Sequence, residues 1–213
     1  MLSDFLKSLT IDVAVDLGTA NTLVAVRDKG IVVREPTIVV KHKKSKRIVA
    51  VGYEAKKMMG KTPATLEVVR PLQSGVIADF DGAAFLLKTW FEEVSPNGNW
   101  KKWFVKPKVI VGIPSGITEV ERRAVQEVLL EAGASQVFLV EEPMAAAIGA
   151  GAKVDQPTGV MVVDIGGGTT EIAAISLSGT VVKRSLRLAG VDVDHAIMQH
   201  IRNKCGMLIG EPT

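Results

Sequence analysis

The chain has 213 residues, a formal charge of +3, and 47% hydrophobic and 23% charged side chains. Such a chain can bury one large or two small cores, and its composition is that of an ordinary soluble globular protein. The mild charge argues against a nucleic-acid-binding surface, no apolar run reaches the roughly 18 residues of a membrane-spanning helix, and no secretory leader is expected.

The lone cysteine, Cys205, allows no intrachain disulfide, which fits a reducing cytoplasm. His42, His195 and His200 show no metal-ligand spacing and read as surface residues.

In residues 1–10, Met1, Leu2, Phe5, Leu6 and Leu9 share one helical face, with Ser3, Asp4, Lys7 and Ser8 opposite. Such a helix either packs on its own domain or docks elsewhere. An apolar strand then ends on Asp16, Gly18-Thr19-Ala20-Asn21 turns the chain, and a second apolar strand returns through Thr22 and Leu23. Short β-like runs follow at 30–33, 37–40 and 47–51, with a basic tip from Lys41 to Arg47 that reads as a solvated loop. Residues 52–59 form a short helix closed by Gly60, which makes 34–74 a small αβ insert.

Asp81 is expected to cap a helix reaching Val94, ended by the Ser95-Pro96-Asn97-Gly98 breaker. Six of the ten aromatic residues fall between Phe85 and Phe104. Phe85, Trp90 and Phe91 suit a buried helix face. Trp100, Trp103 and Phe104, beside Lys101 and Lys102, sit in an exposed loop, where they either cap the core or meet a lipid interface. From Lys108 strands and helices alternate. A strand spans 109–113, Thr118 and Glu121 form a capping box, and the helix stops at Gly133. A strand over 136–140 leads to Glu142-Pro143, which opens a helix of small residues suited to close packing between two lobes.

The second glycine turn carries the densest chemistry. The run from Val160 ends on Asp164, Gly166-Gly167-Gly168 turns the chain, and a strand leaves through Thr169, Thr170 and Glu171. Glycines without a Cβ let backbone N–H groups crowd toward an anion. An aspartate beside such a cradle repels a phosphate unless a cation lies between, and Mg²⁺, which keeps most of its waters, suits that place. Two Asp-x-Gly hairpins facing each other could therefore clamp one phosphate chain and one metal; the plainer alternative is two unrelated tight turns. A strand over 180–188 and a helix over 192–204 follow.

The paired hairpins, with Glu142-Pro143-Met144-Ala145-Ala146-Ala147 between them, resemble the actin-like ATPase superfamily, and within it the MreB family of bacterial actins. Asp16–Thr22, Gly30–Pro36, Gly75–Phe80, Val120–Ala124, Val137–Gly151 and Met161–Glu171 carry the resemblance across nearly the whole chain. It implies an α/β, actin-like (ribonuclease H-like) fold of two lobes on mixed five-stranded sheets, the second lobe incomplete here. The first lobe would comprise a large part, 11–33 with 75–150, and a small part, 34–74; 151–213 would begin the second lobe, and 1–10 would be an amphipathic anchor helix.

By the same resemblance, Asp16 and Asp164 would hold Mg²⁺ through its waters, and Gly18, Thr19, Ala20 and Asn21 would form one phosphate loop. Gly166, Gly167, Gly168 and Thr169 would form the other, and Glu142 would polarise the attacking water of ATP. Without the family, Glu142 is simply a carboxylate at a helix N-terminus, favoured there by the macrodipole. The implied protein is an ATP-binding filament that self-assembles at the cytoplasmic face of the cell membrane, works with the cell-wall synthesis machinery and sets rod shape. Leu2, Phe5, Leu6 and Leu9 with Trp100, Trp103 and Phe104 would touch anionic lipid, and no nucleic acid is involved.

Two departures matter. Ala189-Gly190-Val191 stands where the family carries Gly-Gly-Asp, so an acidic side chain is missing. Family chains also continue beyond the position of Thr213, through the purine-contacting part of the second lobe. ATP hydrolysis is therefore expected only with that lobe complete. The alternatives are a non-catalytic actin-like fragment that binds filament ends, or the ATPase domain of a chaperone-type protein.

Overall fold

The structure, a computed structural model, describes residues 12–94, 106–211 and 213. In chain order come β1 (Asp12–Leu17), β2 (Asn21–Val26), β3 (Gly30–Pro36), β4 (Val39–His42), β5 (Ile48–Val51), α1 (Gly52–Lys57), β6 (Leu66–Val69), β7 (Leu72–Gln73) and β8 (Val76–Ile77). Then follow α2 (Phe80–Val94), β9 (Lys108–Ile113), α3 (Glu119–Glu131), β10 (Gln136–Glu141), α4 (Glu142–Gly149), β11 (Val160–Ile165), β12 (Thr170–Ser176), β13 (Gly179–Leu186) and α5 (Gly190–Cys205). The anchor residues Leu2, Phe5, Leu6 and Leu9 and the loop residues Trp100, Trp103 and Phe104 lie outside the described residues.

A mixed five-stranded sheet in the order β10-β9-β1-β2-β3 forms the first half. The β1-β2-β3 meander is antiparallel, while β9 and β10 join parallel through the α3 crossover. Alternation settles which face is covered. Val13, Val15 and Leu17 of β1, with Val109, Val111 and Ile113 of β9, point into one core against Leu86, Leu87, Trp90 and Phe91 of α2 and Val125, Val128 and Leu129 of α3. Ala14 and Asp16, the intervening residues of β1, are left on the opposite face.

The helices begin where their caps dictate. Thr118 Oγ1 accepts from Glu121 N–H at 3.3 Å, and a Glu121 carboxylate oxygen accepts from Thr118 N–H at 2.7 Å, the expected capping box. At α2 the expected cap is displaced: Asp79, not Asp81, accepts from Gly82 N–H at 3.2 Å, because the helix already starts at Phe80. Trp90 and Phe91 are buried as expected, whereas Phe85 turns to the opposite side of α2 and is exposed.

The insert is a three-stranded antiparallel sheet, β5-β4-β6, with its own small core of Ile38, Val40 and Ala55. Buried Lys41 on β4 reaches out of this insert to ion-pair with Asp79, tying it to the start of α2.

A second sheet, β11-β12-β13, is antiparallel throughout. Helix α4 lies against β9 and β10 of the first sheet and against β11 and β12 of the second. Its small side chains allow that double contact: Ala147 packs with Ala173 and Ile175 in a core that Met144 and Val162 border. The second sheet's other face carries exposed Met161, Val163 and Ile165. Among the described residues no helix is long and apolar enough to cross a membrane.

Candidate functional site

Each glycine turn occupies space that a side chain would need. A Cβ on Gly18, between β1 and β2, would stand 2.5 Å from the Asn21 carbonyl oxygen. The turn rests on two buried hydroxyls. Thr37 Oγ1 donates to Gly18 O at 2.7 Å and sits 2.9 Å from Thr22 Oγ1. With its one proton committed to Gly18, Thr37 leaves Thr22 as the donor of that second bond. Both threonines are fully buried, where an unmade bond is most costly, so the network fixes the turn.

The turn between β11 and β12 is closed by Gly166 N–H donating to Thr169 O at 2.9 Å. It is then lashed to α5: Gly190 N–H donates to Gly166 O at 3.1 Å and Val191 N–H to Gly167 O at 2.9 Å. These are first-turn amides that have no partner within a helix, and here the loop carbonyls satisfy them. At Val191, where an acidic side chain was expected, the backbone N–H makes the docking contact.

The two turns touch. A Cβ on Gly167 would lie 2.6 Å from the Ala20 methyl, and one on Gly168 would lie 2.8 Å from Thr19 Cβ. A third turn, Ser74-Gly75 between β7 and β8, reaches the same point: Gly75 N–H donates to Thr19 Oγ1 at 3.1 Å. Gly75 has φ +77°, and a Cβ there would stand 2.6 Å from Thr169 Cγ2. Three turns from distant parts of the chain thus interlock.

Beside them lies a cavity of about 940 Å³ lined by every predicted loop residue, Gly18 to Asn21 and Gly166 to Thr169, and by Asp16, Glu142 and Asp164. Each carboxylate arrives from its own element. Asp16 stands on the uncovered face of β1, Asp164 on β11, and Glu142 is the first residue of α4, after Glu141 at the N-cap. Burial raises the proton affinity of Glu142 most, and Asp16, Glu171 and Asp164 raise it further, bringing its pKa to about 8. Asp16 is also shifted upward, by enclosure and then by Asp164, although its side chain opens onto the water of the cleft.

A fourth acid, Glu171, escaped the sequence reading as a site residue. It is 1% exposed, and it sits directly across from Asp164 in the β11–β12 register. The signal was present in the alternation Glu171, Ala173, Ile175, which places a carboxylate on the buried face of β12.

Like charges opposite each other on one sheet face are destabilising, so such a constellation argues for a cationic guest. Among the described residues no three potential ligands converge closely enough to bind an ion directly. The donor set instead fits a cation that keeps most of its waters and touches few carboxylates, with Asp16 and Asp164 on either side, as Mg²⁺ does. The bare glycine turns fit an anion of phosphate size alongside it. On the far side of the interlocked turns a smaller hollow of about 250 Å³ is bordered by Asn21, Gly190 and the Arg70–Glu211 ion pair.

The model of the MreB/Mbl protein family matches residues 10–213. The cell shape-determining protein MreB of Escherichia coli strain K12 is 47% identical over 217 aligned residues, covering 100% of this chain and 62% of that protein. Crystal structures of MreB5 of Spiroplasma citri bound to ADP and to AMPPNP superpose with TM-score 0.87 at 39% identity, over 96% of this chain and 60% of theirs. A MamK double helical filament matches with TM-score 0.77 at 23% identity, over 95% of this chain and 62% of that one, which bears on fold alone. The chain therefore spans about three-fifths of the length of these proteins. Their similarity bears out the actin-like α/β fold, and with the family model matched almost from end to end, the chain belongs to the MreB/Mbl family.

Proposed function

We propose that this chain carries the phosphate-clamping part of an actin-like protein that binds ATP with Mg²⁺, hydrolyses it, and assembles into filaments that organise cell-wall synthesis at the inner face of the cell membrane. The observation that carries the reading is the interlock of the two Asp-x-Gly hairpins, with Asp16 and Asp164 flanking them and Glu142 alongside. The nucleotide-bound MreB5 structures support it by similarity. We assign 11–33 with 75–150 to the large part of the first lobe, 34–74 to its small part and 151–213 to the second lobe.

In this reading the backbone amides of Gly18–Asn21 and Gly166–Thr169 hold the phosphates, and Asp16 and Asp164 hold the hydrated cation. A bound Mg²⁺ neutralises charge on the phosphate oxygens. Glu142 orients the attacking water and takes its proton. That task needs the ionised carboxylate, so hydrolysis gains as Glu142 deprotonates, and a cation between Asp16 and Asp164 favours ionisation by offsetting two of the charges that oppose it.

The test separates binding from turnover in protein that includes the remainder of the second lobe. Glu142→Ala should slow phosphate release by about 10²–10⁴-fold with little change in calorimetric ATP affinity. Asp164→Ala should instead remove the Mg²⁺ dependence of binding. Equal losses of affinity in both variants would refute the division of roles, and wild-type protein that binds without turnover would point to a non-catalytic filament-end binder.

At the membrane we assign Leu2, Phe5, Leu6 and Leu9, with Trp100, Trp103 and Phe104, as the lipid contacts. A filament repeats these weak contacts along its length, which multiplies their effect. The Trp100→Ser, Trp103→Ser double variant should co-sediment less with anionic vesicles at unchanged melting temperature. Retained lipid binding would overturn the assignment.

A further inference from the structure

We propose that Glu171 is a positioning residue: its buried carboxylate bridges the two sheets and so sets the spacing between Glu142 and Asp16 on one side of the cleft and Asp164 on the other. The inference rests on the hydrolytic reading above and adds to it a residue outside both phosphate loops, on the wall of the same cavity.

The bridge is made of single bonds to named atoms. Ser115 N–H, in the Pro114-Ser115-Gly116 turn after β9, donates to Glu171 Oε2 at 3.0 Å. Ser185 Oγ, on β13, donates to Glu171 Oε1. Across the second sheet Asp164, Glu171 and Ser185 stand in one cross-strand row. The turn and β13 are also in direct contact, because a Cβ on Gly116 would lie 2.9 Å from Ser185 Cβ. Glu171, on β12, therefore joins the turn after β9, which is the direct neighbour of the strand that carries Asp16, to the sheet whose adjacent strand carries Asp164.

Two ion pairs also cross this seam. Lys183 of β13 pairs with Glu141 at 2.5 Å, and Arg187, just past the end of β13, pairs with Glu121 at 2.8 Å. Their cations are about half exposed, and exposed ion pairs contribute little. Glu171 is 1% exposed, and bonds to a charged group buried this deeply are strong and directional. Its cost is equally specific. Facing Asp164 across the strand and Glu142 from α4, it places a third carboxylate where charge repels charge. A glutamine would make the same two contacts without that repulsion. Any function of the ionised form must therefore outweigh it, or the bridge alone is what matters.

Two substitutions separate these possibilities. Glu171→Gln keeps the reach and both contacts, with its carbonyl accepting from Ser115 N–H and its amide donating to Ser185 Oγ. Glu171→Asp keeps the charge but is one methylene too short to span both sheets. Hydrogen exchange of the Ser115 amide, measured without nucleotide, reads the bridge directly. Exchange should stay near wild type in Glu171→Gln and accelerate about tenfold or more in Glu171→Asp.

With nucleotide, Glu171→Asp should lower kcat about tenfold or more at near-constant KM, and Glu171→Gln should restore most of it. Ser185→Ala, which cuts one arm while leaving Glu171 intact, should fall between them. Unchanged Ser115 exchange in Glu171→Asp would overturn the proposal, as would a Glu171→Gln variant as slow as Glu171→Asp. Absence of turnover in the wild type would refute the hydrolytic reading instead, while the exchange measurement still decides whether the bridge exists.

Discussion

Removing the charge of Glu142 should change how stability responds to pH. In the folded, nucleotide-free protein its pKa is raised from 4.5 to about 8, whereas in the unfolded chain it returns to its ordinary value. Between those two values the folded state holds a proton that the unfolded state has released. Stability from this group is therefore full below the unfolded pKa and is lost as pH rises toward 8. The slope is about 1.4 kcal/mol per pH unit, so from pH 5 to pH 7 the loss is on the order of 2–3 kcal/mol, a large share of a typical domain's stability. Glu142→Gln stays neutral throughout and should lack this component.

Urea titrations of both proteins at pH 5 and pH 7, without nucleotide or divalent cation, measure it. Wild type should lose more stability than the variant over this interval, leaving Glu142→Gln the more stable protein at pH 7. Parallel pH dependences would show that Glu142 is not held protonated by its neighbours, and the account of the acid cluster would fail.

Gly167→Ala places a methyl 2.6 Å from the Ala20 methyl, so it should separate the two phosphate turns and weaken nucleotide affinity at least tenfold by calorimetry, about 1.4 kcal/mol. Thr118→Ala removes one side of the α3 capping box and should lower stability by about 1 kcal/mol in denaturant without affecting nucleotide affinity. Lys41→Met leaves the partly exposed Asp79 carboxylate without its cation and should cost about 1–3 kcal/mol in denaturant.

The hairpins were legible because their signals are local: β-branched strands, a terminal aspartate and adjacent glycines. The α3 capping box was legible for the same reason, since Thr118 and Glu121 are three residues apart. The α2 cap was not, because Asp79 and Asp81 both flank the start and only the true first residue, Phe80, distinguishes them. Phe85 could have been placed correctly. At about 100° per residue it falls on the side of α2 opposite the Ala83, Leu86, Leu87, Trp90 and Phe91 stripe.

What stayed out of reach depends on contacts between distant segments. Nothing near Gly167 announces Ala20, and nothing near Gly75 announces Thr169. Glu171 lies between these cases. Its burial follows from alternation, but its partner across the seam is the backbone amide of Ser115, which has no side-chain signature to read.

The lashing of α5 to the second glycine turn has a mechanical side. Its anchor is the amides of Gly190 and Val191, while the 16-residue helix has no buried residue among those described. At about 1.5 Å rise per residue it is a rod roughly 24 Å long, pivoted at one end on the loop proposed to hold phosphate. A tilt of about 10° at that pivot carries the far end through about 4 Å. That end holds exposed Cys205, the chain's one thiol, where a spectroscopic label would register a displacement too small to see at the turn itself.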